Sequence, residues 1–437
     1  MSTDPIKTEG RASVADIPAL ASLPPYTAGQ TLGVFDCGYG LWQMLLECAC
    51  PADAEDYIAR LQQEGFRLLS SNRKRDNLFW QMGRDRTVLT LSYVPSLSTL
   101  RLVPQDENDA VISGVKDHDF ASVCTSQVTQ IGLGIPREMA PADLADPPTG
   151  ISISNVIRLC DGSFIVYDGG MPWDEYARRL YTVLRSQTLP GQPIVIAAWV
   201  LTHAHIDHTG VFDRFADEYA DKVKVENIVL NFGRALEPES EEYQPHLLRQ
   251  CDKFPGARVL RVLSGTDLYF RNAKLEVLFD QTLNHPRIIP NLNAETLVTR
   301  LVLDGVSYLF LADHADYEGG GNYPPTNFNN GAIRRMYGDY LKSDVVQVAH
   351  HGLGGGGTTA LYELVGAKYA LWPIGEEKYN RHNLGQSGAN TYFLREDVKT
   401  FRSFDRLHIL YTEDGSIRWK EYGSFADYEA EQQASDR

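Results

Sequence analysis

The hydrophobic pattern divides the chain into two parts of different character. Between residues 29 and 110, short runs that alternate apolar and polar positions are separated by polar turns, which is typical of an antiparallel sheet. The predicted strands cover residues 42–48, 66–70, 78–82, 87–93 and 97–103. An amphipathic helix is predicted over residues 52–64. We therefore expect a small α+β domain at residues 29–110, preceded by a disordered or surface-draped lead-in at residues 1–28.

From residue 124 onward, short apolar strands alternate with amphipathic helices. The predicted strands are residues 155–160, 164–167, 194–202, 224–230, 274–278, 296–303, 307–312 and 345–348. The predicted helices are residues 173–186, 211–219, 333–341 and 358–364. Strands and helices in this alternation indicate a layered α/β architecture. We expect one large domain at residues 124–425.

Composition narrows the class of protein. The chain has 437 residues, of which 43% are hydrophobic, so it can bury a large core. Its apolar runs are far shorter than the roughly 20 residues of a bilayer-spanning helix, and no membrane partner is expected. The first residues lack the pattern of a secretory signal, and six scattered cysteines without a CxxC pair are typical of reduced thiols. We therefore expect a cytoplasmic protein.

The formal net charge of −16 indicates which kind of binding partner is favoured. An acidic protein repels the phosphate backbone, so nucleic acid is disfavoured and a small-molecule substrate is favoured. The sequence of residues 29–110 contains neither a cluster of metal ligands nor a phosphate-binding loop. We expect this part to form a homodimer or to shape the entrance to a neighbouring site.

The residues that carry chemistry are concentrated after the apolar strand at residues 194–202. His203, His205, Asp207 and His208 follow it directly. Side chains two positions apart in extended backbone point the same way, so His203 and His205 can share one metal ion. Asp207 and His208 fall where the chain turns into a helix expected to start near Thr209, and they can reach a second metal ion. Three imidazoles and a carboxylate suit zinc, manganese or iron.

This HxHxDH spacing after a buried strand resembles the signature of the metallo-β-lactamase superfamily. The resemblance extends from about residue 124 to residue 422. It implies that residues 124–425 are a catalytic domain with the αββα sandwich fold, within a chain of the α/β class. It also implies a site for two divalent metal ions, with zinc first and manganese or iron as alternatives.

Other landmarks follow in the order of that superfamily. Asp168, in an Asp-Gly-Gly turn, resembles the early aspartate that braces the metal-binding loop from behind. Asp313, after the apolar run at residues 307–312, resembles the aspartate that bridges the two metals. His285 stands where the superfamily often places another ligand of the first metal. The resemblance thus adds two metal ligands and one supporting carboxylate to the site.

Two adjacent histidines, His350 and His351, precede a glycine after the apolar run at residues 345–348. The whole combination resembles most closely the branch containing the hydrolase domain of DNA-uptake competence proteins and the phosphorylcholine esterases. By that resemblance His351 binds the second metal, and His350 faces the substrate as a proton donor or a phosphate contact.

In the part of the site where substrate is expected, this sequence differs from that branch at one position. Two residues after the bridging aspartate the branch has an acidic residue, where this chain has Ala315, so Asp316 or His314 is expected to take its place. A late polar loop contains Arg381 and His382, in a region where the branch has an asparagine and a histidine near its site. These two are candidate substrate contacts, with a solvated surface loop as the alternative.

The residues together predict a metal-dependent hydrolase. Hydroxide formed between two metal ions would attack the substrate, Asp207 would keep the metals and the nucleophile in register, and His350 would protonate the leaving group. The resemblance slightly favours a phosphodiester or phosphoester. Hydrolysis of a lactone, an amide or a thioester stays open, as does a binding scaffold with a decayed site. Flavo-diiron proteins of this fold have a glutamate at the position of His205, which disfavours a redox function.

Overall fold

The computed structural model describes residues 11–132, 150–284, 291–316, 331–354, 356–386 and 388–435. Within these ranges the strands form three sheets. None of the described helices is long and apolar enough to cross a membrane. All six cysteines are free thiols.

The first sheet is antiparallel and is formed by the N-terminal part of the chain. Its strands are β1 (Arg11–Ala12), β2 (Thr31–Asp36), β3 (Trp42–Glu47), β4 (Arg67–Lys74), β5 (Asn77–Arg84), β6 (Thr87–Val94) and β7 (Thr99–Asp106), in the order β1-β2-β3-β7-β6-β5-β4. The short helix α1 spans Pro18–Ala21 and the longer helix α2 spans Pro51–Gln63. Helix α2 begins at a proline and buries Tyr57, Ile58 and Leu61 in the core that it forms with this sheet. The predicted helix at residues 52–64 agrees with α2 to within one residue at each end.

The second sheet is mixed and has nine strands. They are β8 (Ser126–Gln130), β9 (Ser154–Arg158), β10 (Phe164–Asp168), β11 (Ile194–Val200), β12 (Val223–Val225), β13 (Asn227–Leu230), β14 (Arg258–Arg261), β22 (Leu407–Glu413) and β23 (Ser416–Tyr422). Their order is β14-β13-β11-β10-β9-β8-β22-β23, with β12 paired to β11. The predicted strand at residues 224–230 is divided into β12 and β13 at Glu226, whose backbone N–H donates to the carbonyl of Ile196.

The third sheet has seven strands, β15 to β21 in sequential order. They are β15 (Asp267–Phe270), β16 (Ala273–Phe279), β17 (Val298–Leu303), β18 (Val306–Phe310), β19 (Val345–Gln347), β20 (Tyr369–Trp372) and β21 (Lys399–Arg402). The helices of this part are α3 (Asp174–Gln187), α4 (Ile206–Glu218), α5 (Pro238–Cys251), α6 (Gln281–Asn284), α7 (Ala332–Tyr337), α8 (Thr359–Val365), α9 (Glu376–Arg381) and α10 (Phe425–Ser435).

The second and third sheets face each other and helices cover their outer sides. Along β10, Ile165 and Tyr167 point into the core between the sheets, whereas Phe164 and Val166 point into the core beneath α3, α4, α5 and α10. The ring of Tyr167 stacks on the ring of Phe310 from the third sheet, with centroids 4.0 Å apart. Helices α7 and α8 cover the other side of the third sheet. The predicted αββα sandwich within an α/β chain is therefore confirmed.

The first sheet packs against this sandwich through buried polar contacts. The ammonium group of Lys74, whose side chain is 1% exposed, pairs with Asp267 and lies 3.3 Å from a carboxylate oxygen of Glu276. The amide of Asn77 donates to the backbone carbonyl of Met336 over 2.8 Å. Within residues 1–28, β1 pairs with β2 and Leu20 is buried. The domain boundaries at residues 29–110 and 124–425, the homodimer and the cytoplasmic location stay predictions.

We expect Lys74→Met to lower the free energy of unfolding by about 3 kcal/mol, because it leaves Asp267 and Glu276 buried with one cation fewer. The matched control is Lys224→Met, since Lys224 is 65% exposed and makes a surface pair with Glu226. That change should cost less than about 1 kcal/mol. Urea denaturation followed by circular dichroism measures both values. Equal losses in the two variants would contradict the buried-pair interpretation.

Candidate metal centre

Five histidines and three aspartates lie together at one edge of the αββα sandwich. Strands β10 and β11 are parallel neighbours, as are β18 and β19, so the carboxyl ends of each pair meet at the same edge. The side chains that follow these ends are Asp168, His203, His205, Asp207, His208, Asp313, His350 and His351. The sequence therefore brings to one place residues that are up to 183 positions apart.

Helix α4 begins earlier than the sequence predicts. It starts at Ile206, with His205 as its N-terminal capping residue, and not near Thr209. The prediction was late because the apolar spacing begins only at Val211, whereas the first turn holds the polar site residues. Asp207 and His208 are thus fixed by helical backbone, and a carboxylate in the first turn is stabilised by the helix dipole.

The first candidate group of ligands contains His203, His205 and Asp313. The Nε2 atom of His203 lies 3.1 Å from the Nδ1 atom of His205 and 3.9 Å from a carboxylate oxygen of Asp313. One ligand atom from each residue lies within 4.8 Å of the others, which is close enough to surround a single metal ion. His285, predicted as a further ligand here, lies outside the described residues.

The second candidate group contains Asp207, His208, Asp313 and His351. The Nε2 atom of His208 lies 3.1 Å from Oδ1 of Asp313, and the Nε2 atom of His351 lies 3.3 Å from Oδ2 of Asp207. Asp313 belongs to both groups, with Oδ1 facing the second and Oδ2 facing the first. The role of Asp313 as a bridging ligand stays a prediction.

The imidazoles of the second group have outer partners that fix their orientation. The Nδ1 atom of His208 lies 2.9 Å from a carboxylate oxygen of Asp168, and the Nδ1 atom of His351 lies 2.8 Å from the carbonyl of Pro373. Asp168 is fully buried and accepts hydrogen bonds from the backbone N–H and the hydroxyl of Thr202, both at 2.9 Å. In each ring the outer bond leaves Nε2 directed at the candidate metal. Asp168 thus contacts both Thr202 and His208, and its role in support of the metal centre stays a prediction.

The first group has similar outer contacts. The Nδ1 atom of His203 lies 3.2 Å from the hydroxyl of Thr202, and the Nε2 atom of His205 lies 3.4 Å from a carboxylate oxygen of Glu237. His203 therefore presents Nε2 and His205 presents Nδ1 toward the same point. Glu237 has no sequence signal of its own, because it precedes α5 and approaches His205 only in the folded chain.

The electrostatics of the cluster favour a neutral His203 and an ionised Asp313, the forms that bind metal. Burial lowers the pKa of His203, and His208 and His205 lower it further, to well below the usual histidine range. Burial by itself raises the pKa of Asp313, but His208 and His351 outweigh this effect and hold the pKa well below the usual range. Burial by itself lowers the pKa of His205, His208 and His351, but nearby carboxylates outweigh burial and raise it above the usual histidine range. These three imidazoles would therefore release a proton on binding a metal ion.

Three buried atoms of the second group lack a hydrogen-bond partner of acceptable geometry: Nε2 of His208, Nε2 of His351 and Oδ1 of Asp313. Buried polar atoms are rarely left without a partner. All three converge on the space between the side chains, so this donor set fits a divalent metal ion. The same convergence of the His203 and His205 nitrogens fits a second ion beside it.

Sharp turns bring these ligands close to the strand ends. Asp168, Ala312, His350 and His351 have φ of 52°, 43°, 48° and 54°, the left-handed region that non-glycine residues rarely adopt. Such conformations cost of order 1–3 kcal/mol each and tend to occur at functional sites. Two successive left-handed residues turn the paired histidines apart. His351 has a side chain 1% exposed, whereas that of His350 is 24% exposed and its Nε2 lies 3.8 Å from Asp313.

The residues predicted on the substrate side lie in different environments. Arg381 forms an ion pair with Glu377 on α9, and His382 is exposed at the end of this helix. Asp316 is buried, 2.7 Å from Nε of Arg334 and 2.6 Å from the hydroxyl of Thr358. A role of Arg381 or His382 in substrate binding stays a prediction.

The other candidate for the missing acidic position, His314, is buried with its ring edge-on to that of Phe279, 4.9 Å away. Asp316 joins the start of α8 to α7 through Thr358 and Arg334. A role of either residue toward the substrate stays a prediction.

Two further residues support the metal-binding loops and were missed by the sequence analysis. Glu295 is fully buried and accepts hydrogen bonds from the backbone N–H groups of Ala204 and Gly233 at 3.0 and 2.8 Å. Burial raises the pKa of Glu295 to about 8, although the bonds from Gly233 and Ala204 oppose the rise. Asn390 donates to the carbonyl of Gly352 over 2.7 Å and so holds the loop of the paired histidines. Both contacts join remote segments, and neither residue lies in a recognisable motif.

Comparison with known protein families decides the membership of this chain. The model of the metallo-beta-lactamase superfamily matches residues 149–371, about half of the sequence. The chain belongs to the metallo-β-lactamase superfamily. The matched range includes Asp168 and both candidate ligand groups, which extend from His203 to His351. The comparison with curated proteins finds no match.

Several solved structures are similar to this member of the superfamily. Two are of CmlA, a diiron β-hydroxylase from Streptomyces venezuelae. A mutant form is 12% identical with a TM-score of 0.35, and the match covers 65% of this chain and 54% of that one. Another form is 10% identical with a TM-score of 0.31, and the match covers 56% of this chain and 44% of that one. This chain therefore spans about half the length of CmlA. A mutant flavo-di-iron protein from Thermotoga maritima is 14% identical with TM-score 0.27, covering 73% of this chain and 61% of that one. The metallo-β-lactamase MIM-2 is 15% identical with TM-score 0.28, covering 56% and 80%. Likenesses this low carry no argument about activity.

We expect the paired histidines to differ in metal binding, because His351 belongs to the second group and His350 to neither. The unmodified protein, loaded with zinc and desalted, should hold about two ions per chain. His351→Ala should hold about one, and His350→Ala about two. Inductively coupled plasma mass spectrometry against protein concentration measures the ratio. The reverse pattern would exchange the two roles.

Proposed function

We propose that this protein is a metal-dependent hydrolase of a small-molecule ester. The observation that carries the proposal is the pair of ligand groups that share Asp313, because this arrangement suits two adjacent metal ions. When bound, two divalent ions lower the pKa of water and polarise a carbonyl or phosphoryl oxygen. The donor set of imidazoles and carboxylates supports zinc first, with manganese or iron as alternatives.

The residues of the chain have separate tasks in this proposal. Asp207 is fixed in the first turn of α4, with Oδ2 3.3 Å from Nε2 of His351, so it orients the second group and the nucleophile beside it. Asp313 keeps the two groups in register from its position between them. The rest of the ligand set holds the metals: His203, His205 and the predicted ligand His285 in the first group, and His208 and His351 in the second.

His350 is the proposed proton carrier. Its Nδ1 atom lies 3.1 Å from the carbonyl of Gly354, so that nitrogen bears hydrogen and Nε2 is free to take up a proton. The amide nitrogen of Asn293 lies 3.5 Å from Nε2, at the outer limit of a hydrogen bond, and the side chain of His350 is 24% exposed. A proton held at Nε2 can pass to the oxygen of a leaving group that approaches from the open side.

A phosphodiester or phosphoester is the preferred linkage. The support for this preference is the His-His-Gly motif at residues 350–352, which resembles that of the competence-protein hydrolase domain and the phosphorylcholine esterases. Arg381 and His382 remain the proposed contacts for the distal part of such a substrate. A decayed binding scaffold is disfavoured because each described ligand position holds a residue able to bind metal.

We expect Asp207→Ala to abolish turnover while the fold persists, since this side chain serves the metal centre and not the apolar core. The melting temperature should fall only by the contribution of bound metal, and that of the metal-free protein should be unchanged within about 1 °C. Asp221→Ala, at an exposed aspartate beyond α4, is the matched control and should keep full activity. Wild-type turnover by Asp207→Ala at full metal loading would contradict the role proposed for this residue.

A substrate panel tests the reaction class. The zinc-loaded protein should hydrolyse bis(p-nitrophenyl) phosphate faster, by kcat/KM, than a chromogenic lactone, a β-lactam or a thioester. A higher kcat/KM for the lactone or thioester would replace the phosphoester preference while retaining hydrolysis. Oxygen consumption by an iron-loaded sample without hydrolysis of any member of the panel would contradict a hydrolase.

A further inference from the structure

Glu295 holds the segment between the two histidines of the first candidate metal group. Its Oε1 accepts the backbone N–H of Ala204, the residue between His203 and His205. Its Oε2 accepts the backbone N–H of Gly233, which follows β13. The carboxylate thus ties the metal-binding loop to the neighbouring strand at a site with no solvent exposure.

Gln244 on α5 completes the shell around this carboxylate. Its Nε2 lies 3.1 Å from each oxygen of Glu295 and donates to them. With Nε2 directed at Glu295, Oε1 of Gln244 faces the other way. That oxygen lies 2.7 Å from the hydroxyl of Tyr39 and accepts its hydrogen bond, and the carbonyl of Ser240 on the same helix is a second acceptor at 3.0 Å.

Tyr39 belongs to the first sheet, in the turn between β2 and β3. The guanidinium of Arg261 on β14 donates to the carbonyls of Gly38 and Tyr39 at 2.9 and 3.0 Å, so the turn is anchored to the sandwich. Tyr39 has φ of 51°, a left-handed conformation that this anchoring sustains. Hydrogen bonds therefore run without a break from Tyr39 through Gln244 and Glu295 to Ala204.

We propose that Glu295 is a positioning residue for the first metal group, and that Tyr39 supports Glu295 through Gln244. The N-terminal sheet then influences the affinity of the first group for its metal ion. The inference rests on the proposed function only in its assignment of metal to His203 and His205. It gives the first sheet a task at the metal centre although the sheet supplies no ligand.

The geometry supports a role in orientation over a role in packing alone. The bonded group is the N–H of Ala204, which lies between His203 and His205, so a shift of this peptide changes the position of both imidazoles relative to Asp313. Partners one step removed from a metal typically change its affinity 10- to 100-fold. The bonds from Tyr39 to Gln244 and from Gln244 to Glu295 are polarised in one direction, so loss of the tyrosine hydroxyl weakens the hold of Gln244 on the carboxylate that positions Ala204.

The test measures the affinity for zinc of each variant in two backgrounds. One is the otherwise unmodified protein, and the other is His351→Ala, in which the first group is left as the zinc site. Competition with a chromophoric chelator gives Kd for Zn²⁺. Tyr39→Phe, which removes one hydroxyl from a half-exposed ring, should raise Kd about 3- to 10-fold, and Glu295→Gln about 10- to 100-fold. The matched control is Tyr57→Phe, which removes a hydroxyl bound to the carbonyl of Pro24 in the same N-terminal part and should leave Kd unchanged.

A double variant distinguishes a connected chain from two separate effects. Tyr39→Phe combined with Glu295→Gln should bind zinc no more weakly than Glu295→Gln alone, because both act through the same bond to Ala204. Unchanged Kd in Tyr39→Phe, or fully additive losses in the double variant, overturns the inference. Absence of zinc binding by the unmodified protein would instead overturn the proposed function, so the two failures are distinguishable.

Discussion

A buried carboxylate must keep hydrogen-bond donors on both oxygens, because an ionised group without partners in the interior costs several kcal/mol. Asp168 meets this constraint with three donors from two other segments. Thr202, after β11, supplies its N–H and its hydroxyl, and His208 in α4 supplies Nδ1. The end of one strand, the start of the metal-binding loop and the first turn of a helix are thereby fixed by one side chain. The orientation of His208, and with it the shape of the second ligand group, depends on this carboxylate.

The same constraint is met by another buried acid beside the metal centre. Glu295 has a backbone N–H donor on each oxygen and ties the loop after β11 to the residues after β13. Asp313 differs, because its partners are imidazoles that approach from several directions and one of its oxygens lacks a hydrogen bond. Asp168 and Glu295 are thus satisfied by the protein alone, whereas the donor set around Asp313 fits completion by a cation.

The sequence predicts the metal centre better than it predicts its supports. His203, His205, Asp207 and His208 can be grouped from residue spacing alone, since strand and helix periodicity decide which side chains share a face. Asp313 and His351 lie more than 100 residues further on, and only the resemblance to a family connects them with the first four. Glu295, Gln244 and Tyr39 meet through tertiary contacts between separate elements, and neither periodicity nor a motif marks such contacts.

The same distinction applies to the fold. Strands such as β10 and β11 are continuous apolar runs and were predicted within one or two residues, whereas β14, β20 and β21 have four residues each and show no clear pattern. Helix α5 was missed because it contains Pro245 and a mostly polar first half. The start of α4 was placed late because functional residues occupy the turn where an apolar face would otherwise begin.

The stacked rings of Tyr167 and Phe310 have a consequence for the dimensions of the metal centre. Tyr167 directly precedes Asp168, and Phe310 lies three residues before Asp313, on the facing sheet. The hydroxyl of Tyr167 also lies 2.8 Å from that of Thr299 across the same gap. The packing of these two rings therefore helps to set the spacing of the two sheets at the point where both aspartates emerge. The distance between Asp168 and Asp313 thus depends on the apolar interior as well as on the polar side chains around them.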